Sequence, residues 1–245
     1  HLALAQTSDM SDDGEAENKV EEIRKLPSLI LIIEEPELYQ HPNRQRHFAK
    51  ILADLATGAT PGVADRTQVI YSSHSPYFVG IDRVDEIRVL KKLDFVDGLP
   101  KETKVVHTSL EGVAAELWRH DGEPEDVYTA ETLTPRLTSI MTPRVNEGFF
   151  ADLAVLVEGE DDYSALMGMA KVMGVELESY GVSVIPCGGK NNLDRPSVIF
   201  RQLGIKTYLI WDSDKDMSDG REEDNHALMR LAGFEEIQDW PSGVF

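Results

Sequence analysis

Residues 153–166 read LAVLVEGEDDYSAL. Leu153 to Val157 are aliphatic and stop at Glu158-Gly159, and four acids then fall within five positions: Glu158, Glu160, Asp161 and Asp162. Tyr163, Ala165, Leu166 and Met169 follow at helical spacing. A short continuous apolar run bounded by a turn predicts a buried strand, and the later pattern predicts a helix. Open α/β sheets bind ligands beyond the carboxyl ends of their strands. Carboxylates crowded at such a place repel one another unless a cation sits between them. Asp161 or Asp162 also makes a good helix N-cap; that role accounts for one acid and leaves three.

The same grammar recurs on both sides. Upstream, LILIIEEPELYQHP (residues 29–42) is an aliphatic run ending in Glu34-Glu35, with Pro36 stopping the strand. A helix is expected over Asn43 to Leu55, with Phe48, Ile51, Leu52 and Leu55 on one face. Thr67 to Tyr71 predicts a second strand leading into Ser72-Ser73-His74-Ser75-Pro76. Ile87 to Leu90 continues as strand with Val105-Val106 as its partner, and Leu110 to Trp118 is helical. Gly122 to Gly148, with Pro124, Pro135 and Pro143, reads as a connector with short helices. Downstream come a helix over Tyr163 to Met173, a strand over Val182 to Ile185, the Gly188-Gly189 loop, a helix near Pro196 to Leu203 and a strand over Thr207 to Trp211. That last strand runs into Asp212-Ser213-Asp214-Lys215-Asp216. Alternating strands and helices predict α/β architecture throughout. His1 to Gln6 reads as a helix end, Thr7 to Asn18 as a disordered acidic stretch, and Lys19 to Lys25 as a short helix.

Composition narrows the function classes. The 245 residues carry 41% hydrophobic side chains and a formal charge of −20. No apolar run approaches the roughly 20 residues that span a bilayer, and the first residues lack the basic start and apolar middle of a signal peptide. The single cysteine, Cys187, excludes an internal disulfide and fits a reducing cytoplasm. So acidic a chain is not a simple nucleic-acid coat, unless many acids bind Mg²⁺ or basic gripping parts lie elsewhere.

Two constellations carry the chemistry. Glu34 and Glu35 close an aliphatic strand, the position at which many nucleotide hydrolases hold Mg²⁺ and orient water; a bland strand end fits those two residues equally well. His74, on the loop after the next strand, is placed to sense a γ-phosphate. In the second constellation Asp212 and Asp214 stand two apart on extended backbone and so share a side. An acidic turn explains them alone. If their strand lies beside the one ending at Val157, they converge with Glu158 and Asp162 into a set of hard oxygen ligands suited to Mg²⁺ or Mn²⁺. Ions held so can clamp a phosphodiester and activate water.

The set LIIEEPELYQHP followed by VIYSSHSPYFV resembles the Walker B, D-loop and switch-histidine segments of ABC-type ATPases. The resemblance implies that Glu34 serves Mg²⁺ (many relatives carry Asp there), Glu35 is the catalytic base and His74 the switch, with ATP as ligand. LVEGEDD paired with YLIWDSD resembles the Toprim domain, implying Glu158 as the motif glutamate and Asp212 and Asp214 as its D-x-D pair. An ABC-type ATPase joined to a Toprim domain resembles the overcoming-lysogenization-defect (OLD) family of nucleases, and there Asp162 is carried over as a further metal ligand. The expected architecture is a partial ABC-type ATPase domain over residues 1–92, a connector over 93–150 and a mainly parallel, Rossmann-like Toprim domain over 151–245. The implied activity is ATP-regulated, metal-dependent cleavage or nicking of DNA by a cytoplasmic homodimer, with a helicase or other defence protein as possible partner and bacterial defence or DNA processing as setting. Rivals are an ATP-gated DNA-binding or repair module with structural Mg²⁺, and a Toprim enzyme acting on RNA or as a primase.

The chain departs from these patterns. Gly189-Lys190 is followed by Asn191 and lacks the earlier glycine of a G-x-x-x-x-G-K-[ST] phosphate loop, and no Ser-Gly-Gly signature loop precedes Glu34. The chain therefore reads as a fragment expected not to hydrolyse ATP alone. No obvious basic residue follows Asp216 to stabilise a cleaved phosphate; Lys215 and Arg221 read as surface. The Pro186 to Asn192 loop is either a tight turn or a backbone approach to metal or DNA with Lys190 near a phosphate. Cys187 has no partner His near it in sequence. Trp118 and Trp211 read as core residues.

Overall fold

The aliphatic run of residues 29–34 forms β1 (Leu29–Glu34), which pairs in parallel with β2 (Thr67–Ser72), Glu34 lying opposite Ser72. Between them runs α1 (Pro42–Ala56), started by a proline whose fixed φ suits the first turn. This computed structural model describes residues 28–59, 66–92, 102–121, 128–140, 142–218 and 220–241. The expected features in residues 1–25 lie outside them.

One face of the β1–β2 pair is covered: Leu31, Ile33, Val69 and Tyr71 pack on a small core of Ala49, Leu52 and Phe78. Ile30, Ile32 and Ile70 are exposed. A continuous apolar run predicts burial on both faces, yet among the described residues only one is covered. Phe48 and Leu55 of α1 join this core, whereas Ile51, expected on the same face, is exposed.

β3 (Val89–Lys92) and β4 (Thr103–Val106) form an antiparallel pair with Val89 opposite Val106. Helices α2 (Leu110–Asp121) and α3 (Ala130–Ile140) follow. Proline content points to a connector here, but α3 runs through Pro135 and buries Leu133, Leu137 and Ile140. Apolar burial outweighs the hydrogen bond that proline deletes. Trp118 is a correction: at 41% exposure it stands on the outer face of α2, not in the core.

After the short α4 (Pro143–Asn146), β5 (Leu153–Val157) enters as the central strand of a parallel sheet ordered β6-β5-β7. Its neighbours are β6 (Val182–Pro186) and β7 (Lys206–Ile210), and Val157 lies opposite both Pro186 and Ile210. Three strands thus end at one level. Helices α5 (Glu160–Met173), α6 (Asp194–Gln202) and α7 (Glu222–Ala232) complete the α/β arrangement. Ala154, Leu156 and Ile185 pack with Phe200 in a large core that also takes in Ile81, Val113 and Leu137. This packing crosses positions 92/93 and 150/151. Gly148 is part of it: a Cβ there would lie 2.4 Å from the Phe200 ring. Among the described residues, no helix is long and apolar enough to cross a membrane.

Candidate functional site

At the end of β1, Glu35 holds φ +45°, a left-handed conformation rare for glutamate. Such strain costs about 1–3 kcal/mol and clusters at functional sites. It turns the carboxylate to within 3.8 Å of His74 Nε2, so the structure brings these two predicted residues together. Glu34 is the last residue of β1. The His74 loop is held by a residue the motif reading passed over. Glu37 accepts from Ser73 Oγ at 2.9 Å and from the His74 backbone N–H at 2.7 Å. Ser75, buried, donates to Gln45 Oε1 at 2.6 Å, tying the same loop to α1.

The second constellation forms at the common level of β5, β6 and β7. Glu158 Oε1 accepts the Asp212 backbone N–H at 2.8 Å, which is direct evidence that the ends of β5 and β7 meet. Glu158 is half-buried. Loss of water, and behind it the charges of Asp214 and Asp212, push its carboxyl above the ordinary range. The Asp212 N–H and Lys190 pull the other way. Asp214 holds φ +57°, which aspartate tolerates better than most residues. Its carbonyl accepts from Met217 N at 3.0 Å, closing a turn behind it.

Lys190 completes the group. Its ammonium donates to the Asp212 carbonyl at 2.6 Å and meets Asp214 Oδ2 at 3.1 Å, with 9% of the residue exposed. Asp212 is therefore gripped at both ends of its backbone, N–H by the β5 end and carbonyl by the loop after β6. Two backbone bonds latch that loop to β5: Cys187 N to Val157 O, and Gly189 N to Glu158 O at 2.8 Å. The remaining predicted ligand behaves differently. Asp162 Oδ2 accepts Gly159 N–H at 3.0 Å and so caps the start of α5. Glu160 pairs with Arg144, both carboxylate oxygens at 2.9 Å. Cys187 is buried, and loss of water pushes its thiol up to about 12, an inert group.

The donor set of Glu158, Asp212 and Asp214 is hard oxygen, the ligand chemistry that suits a divalent cation. As placed, no three acidic, histidine or cysteine side chains among the described residues close around one point. These carboxylates would turn inward to share an ion.

Residues 142–150 join the two constellations. Asn146, buried, donates through its amide to the carbonyls of Pro76 at 3.0 Å and Val79 at 2.8 Å, directly after the His74 loop. The Phe150 ring lies 6.4 Å from that of His74. On the other side, Arg144 lies 3.9 Å over the Tyr163 ring and grips Glu160 at the start of α5. Sequence pattern offered no signal for Asn146, Glu37 or the inward turn of Lys190, because each depends on a contact far along the chain.

Comparison with known proteins agrees with this geometry. Residues 149–214 match the Toprim domain of overcoming-lysogenization-defect-like proteins, and residues 13–79 match an AAA ATPase domain. The chain is 28% identical over 186 residues to the OLD nuclease of Thermus scotoductus (strain ATCC 700910 / SA-01), covering 75% of this chain and 30% of that protein. It is 26% identical over 194 residues to the Old nuclease of Escherichia phage P2, covering 78% of this chain and 28% of that protein. The chain thus spans less than a third of the length of these curated relatives. Domains of these two kinds bind, in general, nucleotides and metal ions. With an ATPase region and an OLD-like Toprim domain in this order, the chain is similar to the ATPase–Toprim proteins of the OLD family.

Proposed function

We propose that this chain forms the core of an ATP-regulated, divalent-metal-dependent DNA endonuclease that cuts or nicks at the Glu158–Asp212–Asp214 centre. The observation that supports the reading is the Glu158 bond to the Asp212 N–H, which holds the two acidic strand ends together. Mg²⁺ or Mn²⁺ bound there would supply charge stabilisation for a phosphodiester and activation of water. Glu158, Asp212 and Asp214 would hold it, with Asp162 reaching it only by releasing Gly159. Lys190 and Glu158 keep the Asp212 backbone in place while substrate binds. Glu35 is the base and His74 the switch of the nucleotide site, a reading supported by the 3.8 Å between them. A homodimer would complete that site, and DNA is the substrate the relatives' names support.

The test is incubation of the full-length protein with supercoiled plasmid or structured RNA and Mg²⁺ or Mn²⁺. Nicked or linear plasmid is expected. Glu158→Ala and Asp212→Ala should each lower cutting by about 10²-fold or more, the loss typical of a deleted electrostatic group. Normal cutting by both variants sinks the site assignment, and cutting of RNA alone sinks the substrate. Glu35→Gln should stop ATP turnover.

A further inference from the structure

The carboxylate centre has a cation of its own. Lys190 directly follows the Gly188-Gly189 pair, in the loop after β6, the strand that neighbours β5 on the side away from β7. To reach Asp214 its side chain crosses beneath the end of β5, and it arrives with 8% of the side chain exposed. A buried ammonium is costly unless paired and hydrogen-bonded. Here two partners satisfy it, the Asp212 carbonyl at 2.6 Å and the Asp214 carboxylate at 3.1 Å. A lysine serving only as surface charge would not be buried in this way, and its loop is itself closed by the Asn192 amide, which donates to the Cys187 carbonyl at 3.2 Å.

We propose that Lys190 is a positioning residue of the metal centre: anchored on the Asp212 carbonyl, it holds the Asp214 carboxylate on the side of its left-handed turn that faces Glu158 and Asp212, from which the three carboxylates close on an ion. This rests on the metal-site reading given above. Lys190 is a basic residue of this site that lies ahead of the D-x-D pair in sequence, just after the glycine pair. Removing Lys190 has two opposed effects on a bound cation. Loss of a neighbouring positive charge favours the ion, while release of Asp214, with three carboxylates left repelling one another, disfavours it. Positioning wins in this proposal, because the turn at Asp214 has strained backbone and, among the described residues, Lys190 is the side chain bonded to its carboxylate.

The experiment measures Mn²⁺ binding to the full-length protein without nucleotide, following the electron paramagnetic resonance signal of free Mn²⁺. Lys190→Met is expected to weaken Mn²⁺ binding by about 10- to 100-fold, as loss of a supporting partner behind a metal ligand does. In an Asp214→Asn background the same change should cost about twofold or less, since two residues acting as one unit are non-additive. Circular dichroism checks the fold, and if Lys190→Met does not fold, Lys190→Gln is read by the same criteria. Binding as tight as the parent's, or tighter, overturns the proposal, and so does a loss that persists in full in the Asp214→Asn background. Glu158→Gln separates the two levels. If it abolishes Mn²⁺ binding while the Lys190 variants do not, only the role of Lys190 fails; if it too binds normally, the metal site itself is wrong.

Discussion

Asp214 owes its position partly to a residue with no side chain. A Cβ at Gly220 would fall 2.3 Å from the Asp214 carbonyl, a backbone atom that cannot rotate away. Gly220→Ala is therefore expected to push the D-x-D turn outward while leaving all acids present. It should destabilise the protein by about 1–3 kcal/mol, as overpacking does, and weaken Mn²⁺ binding in parallel; unchanged binding would show that the turn is not set by this contact. At this scale the sequence was most readable where a residue type has few uses. Clustered acids at strand ends announced themselves, as did a histidine after a strand. Glu37 did not, since a glutamate in a turn is ordinarily a surface residue, and the glycine loop suggested a phosphate near Lys190 rather than a bond to Asp214. Only folding brings Glu37 to His74, 37 positions away, or Lys190 to Asp214, 24 away.

Among elements, the strands were legible and their neighbours were not. The aliphatic runs at Leu29–Glu34 and Leu153–Val157 form strands as expected, because few other structures accommodate β-branched runs that short. That β7 adjoins β5, while β6 takes the other side, is a matter of crossover geometry that periodicity does not encode. The α3 helix was obscured by Pro135, whose local cost is overcome by burial of Leu133 and Leu137. The short α4 carries the next prediction. Thr142 caps it by accepting Val145 N–H at 3.1 Å, which points Asn146 toward Pro76 and Val79. Asn146→Leu would leave two carbonyls without their donor, at about 1–3 kcal/mol. Urea unfolding should register that loss, and amide hydrogen exchange should speed up around Phe78 to Gly80. Unchanged exchange there would mean the loop is held from the α1 side alone, through Gln45.

For the molecule as a whole, the buried residues among those described gather in two cores. A small one lies under β1, β2 and α1, and a large one takes in residues from Ile81 to Leu231. The segment 142–150 touches the His74 loop and the start of α5 at once, so the two constellations share a rigid junction. The net charge of −20 is in keeping with a centre that recruits cations before nucleic acid. The sole thiol has a different use. Cys187 sits one residue before the glycine loop that carries Lys190, buried and with its thiol pushed up to about 12. It should resist aromatic disulfide reagents in the native state and react only when the end of β6 opens. The rate of its modification is then an intrinsic clock for local opening of the centre. That clock should slow when Mn²⁺ is added and quicken in Lys190→Met, with no label introduced anywhere in the protein.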